Sequence, residues 1–198
     1  MSKAAALIVV SSLFVACSSE APPSPTAPIS VPVFSQGEQS PNANGGNFGT
    51  PLSGAEEVPV RETRARGNAI FQLNAEGTAI SYKLIVANIN NAFMAHIHQN
   101  VVGANGPITV WLYPSTTPGQ QEPFGQGRLD GVIAQGTITA ADLVGPLAGQ
   151  PLSALVSDLS TGNAYVNVHT NDGVDPANTG PGDFPGGEIR GQIEHRGH

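Results

Sequence analysis

Three histidines in this sequence have the type and spacing of metal ligands. His96 and His98 are two residues apart, alternating with Ala95 and Ile97. In a β-strand, residues two apart have Cα atoms about 6.5–7 Å from each other and side chains on one face. A third imidazole, His169 on a neighbouring strand, would complete a three-histidine site with an open position. That ligand set is typical of catalytic zinc and is compatible with copper.

The same histidines also have a purely structural interpretation. Their imidazoles could hydrogen-bond to Asn167, to Glu188 or to backbone groups and so fix the register of the strands. Spacing along the chain does not show whether the two strands are neighbours. Both interpretations therefore stay open at this point.

In two further segments, polar residues alternate with apolar ones as the histidines do. In one, Tyr165 and Asn167 alternate with valines, and in the other Glu188 and Arg190 alternate with isoleucines. These four residues are candidates for a structural role or for orienting the ligands, and Glu188 and Arg190 could also form an ion pair with each other. We find no nucleophile elbow, phosphate loop or paired-carboxylate motif. No catalytic residue is assigned, and the pattern favours a protein that is not an enzyme.

Hydrophobic alternation indicates that these stripes lie on β-strands. The predicted strands cover 69–73, 80–86, 108–112, 132–139, 164–170 and 187–194. Residues 139–142 form a capping box for a single turn, and 152–159 have one apolar helical face followed by Gly162. Many short strands and abundant glycine and proline predict an all-β fold, an antiparallel Greek-key sandwich or barrel of the immunoglobulin-like or superoxide-dismutase-like kind, with one or two short helices.

The N-terminus indicates export and lipid anchoring. Lys3 is followed by an uncharged apolar stretch that ends at Cys17 and is shorter than the roughly 20 residues of a membrane-spanning helix. Residues 13–17 resemble the bacterial lipobox, whose cysteine is acylated and becomes the new N-terminus. We therefore predict a signal peptide at 1–16, lipidation of Cys17, a proline-, serine- and glycine-rich linker at 17–48 and one domain at 49–198.

Composition narrows the range of partners. The chain has 8 Lys and Arg against 15 Asp and Glu, for a net charge of −7. Such a chain repels phosphate backbones, which argues against nucleic acid as a partner. The predicted location is the cell envelope, with the lipid anchor in a membrane and the domain on an outer-membrane, periplasmic or extracellular face.

Several motifs in order resemble the chordin-type (CHRD) domain. They are Leu-Ser-Gly-Ala-Glu-Glu-Val-Pro at 52–59, Ala-His-Ile-His at 95–98, Asn-Gly-Pro at 105–107, the stretch 162–170 and Pro-Gly-Gly-Glu-Ile-Arg-Gly-Gln at 185–192. The resemblance implies an all-β extracellular or periplasmic domain, found alone or in anchored proteins in bacteria. It implies no particular chemistry.

A second resemblance, to copper/zinc superoxide dismutase, rests on the order of His96, His98, His169 and Arg190. The sequence shows no bridging histidine, zinc-ligand cluster or cysteine pair to accompany them. This resemblance would imply a copper-only or zinc-only site.

Two functions follow from the sequence. The first is a non-catalytic envelope module that presents its β-sandwich to a protein or polysaccharide. The second is an envelope protein that binds copper or zinc through His96, His98 and His169, of which dismutase-like redox chemistry is a variant.

Overall fold

The structure is a computed structural model that describes residues 46–196. The predicted signal peptide, Cys17, linker residues 17–45 and the C-terminal His198 lie outside the described residues. Within 46–196, no helix has the length and apolar character needed to cross a membrane.

The described chain is mostly antiparallel β-sheet. Its nine strands are β1 Asn47–Ser53, β2 Arg66–Leu73, β3 Ile80–Asn90, β4 Ala92–Gln99, β5 Ile108–Tyr113, β6 Arg128–Ile138, β7 Ala164–Thr170, β8 Ile189–Gln192 and β9 Glu194–His195. They form one sheet in the order β5-β4-β7-β8-β1-β2-β3-β6, with β9 paired to β1, and the sheet curls into a nearly closed barrel. The predicted all-β class, a sandwich or barrel, is confirmed.

Helices are few and short, as the sequence predicts. The α-helix α1, Leu152–Ser160, buries Leu152, Leu155 and Leu159 on one face. The helix packs against the barrel because its apolar side chains join the core. Thr139 caps a 3₁₀ turn: its hydroxyl accepts a bond from the Ala141 amide, while Asp142 accepts from the Thr139 amide. The 3₁₀ turns of the described chain are Gly54–Glu56, Ala140–Asp142 and Gly145–Leu147.

Alternating side chains of the strands fill the barrel. The predicted hairpin of β2 and β3 pairs Ala69 with Leu84 and Phe71 with Tyr82. All four are buried in the core. The Tyr82 hydroxyl donates to the Leu112 carbonyl at 2.7 Å, so the one polar atom that this ring brings inside is satisfied.

The polar stripes lie on the outer face of neighbouring strands. On β4 and β7, His96 is opposite Asn167 and His98 is opposite Tyr165. Asn167 is in turn opposite Arg190 on β8. Side chains on one face of adjacent strands at matched register are in contact range. The topology therefore places residues from distant parts of the sequence together.

Loops cover this outer face, which the alternation of apolar and polar residues along the strands does not predict. All seven residues of β7 are buried, including those that point away from the core. Glu188 holds these loops in place through hydrogen bonds. Its carboxylate accepts from Thr63 in the β1–β2 loop at 2.5 Å, from Thr170 at the end of β7 at 2.7 Å and from the Gly182 amide in the β7–β8 loop at 2.8 Å. Glu188 thus bonds to three separate segments and does not pair with Arg190.

Packing of β8 on β1 leaves no room for a side chain at Gly191. A Cβ there would overlap the Pro51 carbonyl oxygen and the Thr50 hydroxyl. We expect Gly191→Ala to lower the unfolding free energy by about 2–3 kcal/mol, because backbone atoms cannot move aside cheaply. Urea unfolding measures this. Gly186→Ala is the control, since the nearest atom to its Cβ is Arg61 Nη2 at 3.7 Å. Equal stability of both variants would contradict the described packing.

Candidate metal centre

His96, His98 and His169 converge as a cluster. One ring nitrogen from each lies within 4.8 Å of the other two, and Nδ1 of His96 is 3.1 Å from Nε2 of His169. Two imidazoles on one tetrahedral metal have nitrogens about 3.3 Å apart, so the rings would have to draw closer together to share one ion. The three side chains are nearly or fully buried. The sequence left open whether the two strands are neighbours, and the structure pairs β4 with β7 and so brings the three histidines together.

The other nitrogens of two histidines are fixed by backbone carbonyls. Nδ1 of His98 donates to the Gly106 carbonyl and Nδ1 of His169 to the Pro185 carbonyl, each at 2.8 Å. Because a carbonyl only accepts, Nδ1 carries the proton and Nε2 keeps its lone pair in both rings. This is the usual arrangement behind metal-binding imidazoles. The orienting partners are therefore carbonyls rather than Glu188.

Two buried imidazole nitrogens of the cluster have no hydrogen-bond partner. Nε2 of His96 and Nε2 of His98 make no hydrogen bond. Such atoms are rare in a protein interior, because leaving one unsatisfied costs about 1–3 kcal/mol. These two nitrogens are free acceptors, whereas Nε2 of His169 accepts a bond from Nδ1 of His96 that an incoming ion would replace.

Aromatic rings hold the imidazoles in place. Trp111 meets the His96 ring edge-on at 4.2 Å between centroids, and Tyr165 stacks on His98 at 4.9 Å with planes 8° apart. The ring centroids of Phe93 and His169 are 6.3 Å apart. The imidazoles are consequently limited in their rotation by neighbours on several sides.

Burial keeps all three imidazoles neutral. Desolvation lowers the pKa of His96 to about 2, with the nearby His169 and His98 adding to the effect. The pKa of His169 falls to about 4, again by burial first, although its bond to Pro185 opposes the shift. Burial also lowers the pKa of His98. A neutral imidazole is the form that binds metal.

Arg190 is a buried cation beside this cluster. Its guanidinium donates to Asn105 Oδ1 at 3.1 Å and to the Ala104 carbonyl at 2.9 Å, and its Cζ lies 3.4 Å from the centre of the Tyr165 ring. Within residues 46–196 the only ion pair joins Arg128 and Asp130. The Arg190 charge is therefore balanced by dipoles and an aromatic face rather than by a carboxylate salt bridge.

Glu57 is a residue of the site that sequence reasoning missed. It is 4% exposed, and burial raises its pKa to about 7 against the opposing effects of Arg190, the Val58 amide and Arg61. Its Oε1 has no hydrogen-bond partner. A Cβ added at Gly187, where φ is +121°, would lie 2.5 Å from this oxygen and 2.9 Å from Nδ2 of Asn167. Because Gly187 has no side chain, there is room for Glu57 beside Asn167.

Other contributors had weak or no sequence signals. Trp111 alternates with the core residues Val110 and Leu112, so its place on the outer face could have been read from the pattern. Glu57 and the carbonyls of Gly106 and Pro185 belong to loops, where no periodicity assigns a direction. Their contribution depends on contacts between distant loops.

The low pKa of His96 predicts acid sensitivity. Between pH 6.5 and 2 the folded chain binds fewer protons at His96 than the unfolded chain, so this residue's contribution to stability is present above pH 6.5 and lost as the pH falls. We expect the wild type to lose about 2–3 kcal/mol more than His96→Gln between pH 7 and 4.5, from a shift of that size. Urea unfolding at the two pH values tests this. Equal losses in the two proteins would contradict a buried neutral His96.

The comparisons with known proteins agree with the fold. A family model described as the CHRD domain matches residues 48–193. No curated protein matches the sequence. The match covers well over half of the chain and includes every strand from β2 to β8, together with the three histidines and Glu57. The chain therefore belongs to the CHRD domain family.

Proposed function

We propose that this CHRD domain binds one copper or zinc ion through His96, His98 and His169. The observation that carries the proposal is the convergence of three buried, neutral imidazoles whose Nε2 atoms on His96 and His98 have no partner. An ion at the centre would satisfy them. The function is metal binding, and no catalytic step is assigned to the site.

A purely structural role accounts for the cluster less well. Imidazoles that only fix strand register would be expected to bond through both nitrogens, as buried polar groups do. Nδ1 of His98 and of His169 is bonded to a carbonyl, and Nε2 of His169 accepts a bond from Nδ1 of His96. Nε2 of His96 and Nε2 of His98 are left without a partner, which supports metal binding over a role in packing alone.

The donor set favours copper or zinc over harder ions. All three donors are imidazole nitrogens, which suit zinc and copper, whereas calcium and magnesium prefer oxygen. Within the described part of the chain, no acidic residue joins the cluster and no second cluster accompanies it. The centre we propose is mononuclear, with room for a fourth ligand.

We also propose that the domain is held at the cell envelope by a lipid on Cys17. The support is the apolar leader, the lipobox-like residues 13–17 and the proline-rich segment that separates Cys17 from β1. The tether would let the domain stand away from the membrane, where it could take up metal or meet a protein or polysaccharide partner.

Metal binding can be read from Trp111, the single tryptophan of the chain. Because its ring contacts His96, Cu(II) at the site should quench its fluorescence and saturate at one ion per chain. Zn(II) should compete for the same site. The titration is made on untagged protein with His195 and His198 replaced by asparagine, which removes histidines near the C-terminus that could bind metal independently.

The triple variant with alanine at His96, His98 and His169 should bind no ion. Single substitutions of each histidine by asparagine serve as better-folded controls and should weaken binding at least tenfold, the usual effect of a lost ligand or its support. Quenching of equal strength in the wild type and in these variants would refute the site. An unquenched wild type would do the same.

Lipidation is tested separately. In a bacterial host that acylates lipoproteins, the wild type should incorporate an alkyne-tagged fatty acid and partition with membranes, and Cys17→Ser should do neither, because no other cysteine is present to be acylated. Membrane partition of the serine variant equal to that of the wild type would contradict the anchor.

A further inference from the structure

Glu57 has a position that the metal site alone does not explain. We propose that Glu57 supplies the negative charge that balances the bound ion, releasing its proton to water as the metal enters, and that it acts through Asn167 without ligating the metal. This inference rests on the metal-binding function proposed above. It assigns a role to a loop residue outside the ligand cluster.

Glu57 and Asn167 border one gap in the structure. A Cβ at Gly187 would lie 2.5 Å from Oε1 of Glu57 and 2.9 Å from Nδ2 of Asn167, so both atoms line the place where that side chain is missing. The Asn167 amide also lies beside His98, where it favours the charged form of that ring, although its Oδ1 makes no well-formed hydrogen bond. Asn167 is opposite His96 in the β4–β7 register. The Asn167 amide is thus a neighbour of the carboxyl and of two ligands.

Charge balance favours Glu57 for this role. The site already contains Arg190, and Arg61 faces the same carboxyl from its own loop. A divalent ion would add two more positive charges to a region largely removed from water, which is costly unless a negative group is near. With the ion present, Coulomb attraction favours the ionised form of Glu57.

The other buried acids accept hydrogen bonds from neighbouring residues. Within residues 46–196 these are Asp183 and Glu188. Glu188 accepts three hydrogen bonds that hold the loops together, and Oδ2 of Asp183 accepts two bonds from Thr179. Glu57 is the buried carboxyl placed beside Asn167, and its Oε1 has no hydrogen-bond partner.

The test is calorimetric titration of Cu(II) or Zn(II) in buffers of different ionisation enthalpy, which counts the protons released per ion. We expect the wild type to release about 0.9 proton more than Glu57→Gln at pH 6 and about 0.1 more at pH 8, because a carboxyl with a pKa near 7 is mostly protonated only at the lower pH. The ratio of the wild-type to the variant affinity should therefore rise about tenfold between pH 6 and 8. A role in packing alone would change the affinity equally at both pH values.

Glutamine suits the test because it matches the neutral form of Glu57 in shape and should fold. Glu62→Gln is the matched control, since Glu62 is an exposed acid in the same loop and should release protons as the wild type does. One ion bound by Glu57→Gln, with the same proton count as the wild type at pH 6, would overturn this inference and leave the metal site intact. No ion bound by any of the proteins would overturn both.

Discussion

The site depends on the hydrogen bonds that converge on the Glu188 carboxylate. Thr63, Thr170 and the Gly182 amide come from three different segments, and each donates to this one group. Bonds to an ionised acceptor are stronger than neutral ones, so they can hold loops that have little hydrophobic surface of their own. They act together with the bonds from His98 to Gly106 and from His169 to Pro185, which attach the loops to the histidines themselves. Without these loops, the imidazoles would be an ordinary exposed stripe on a sheet.

Closure of the loops changes the chemistry of every group beneath them. Removing water keeps imidazoles neutral, raises the proton affinity of Glu57 and leaves the Arg190 guanidinium to be balanced by carbonyl, amide and aromatic groups. These effects share one cause, because each reflects the cost of a charge in a poorly solvated place. The aromatic neighbours Trp111 and Tyr165 add to that environment while they fix the rings. Rings held in this way would lower the ordering cost of the metal binding proposed above.

The spacing of apolar residues reports only on neighbouring parts of the chain, so it predicted single strands, one hairpin and one helix. It assigned His96, His98 and His169 to one face of their strands and placed the β2–β3 hairpin and α1 correctly. It did not identify β1, since Pro51 and Gly49 interrupt the pattern there. It also did not predict that β4 and β7, about 70 residues apart in sequence, would pair. That pairing and the role of Glu57 depend on contacts between distant segments, which no short window contains.

Strand β7 is the most enclosed of the strands that carry the histidines. It is paired on both edges, to β4 and to β8, and is buried on both faces. Amide hydrogens in such a strand exchange only when the whole domain opens, because no small local opening exposes them. His169 and Asn167 are part of this slowest-exchanging segment. The backbone that carries them therefore keeps its position for as long as the domain stays folded.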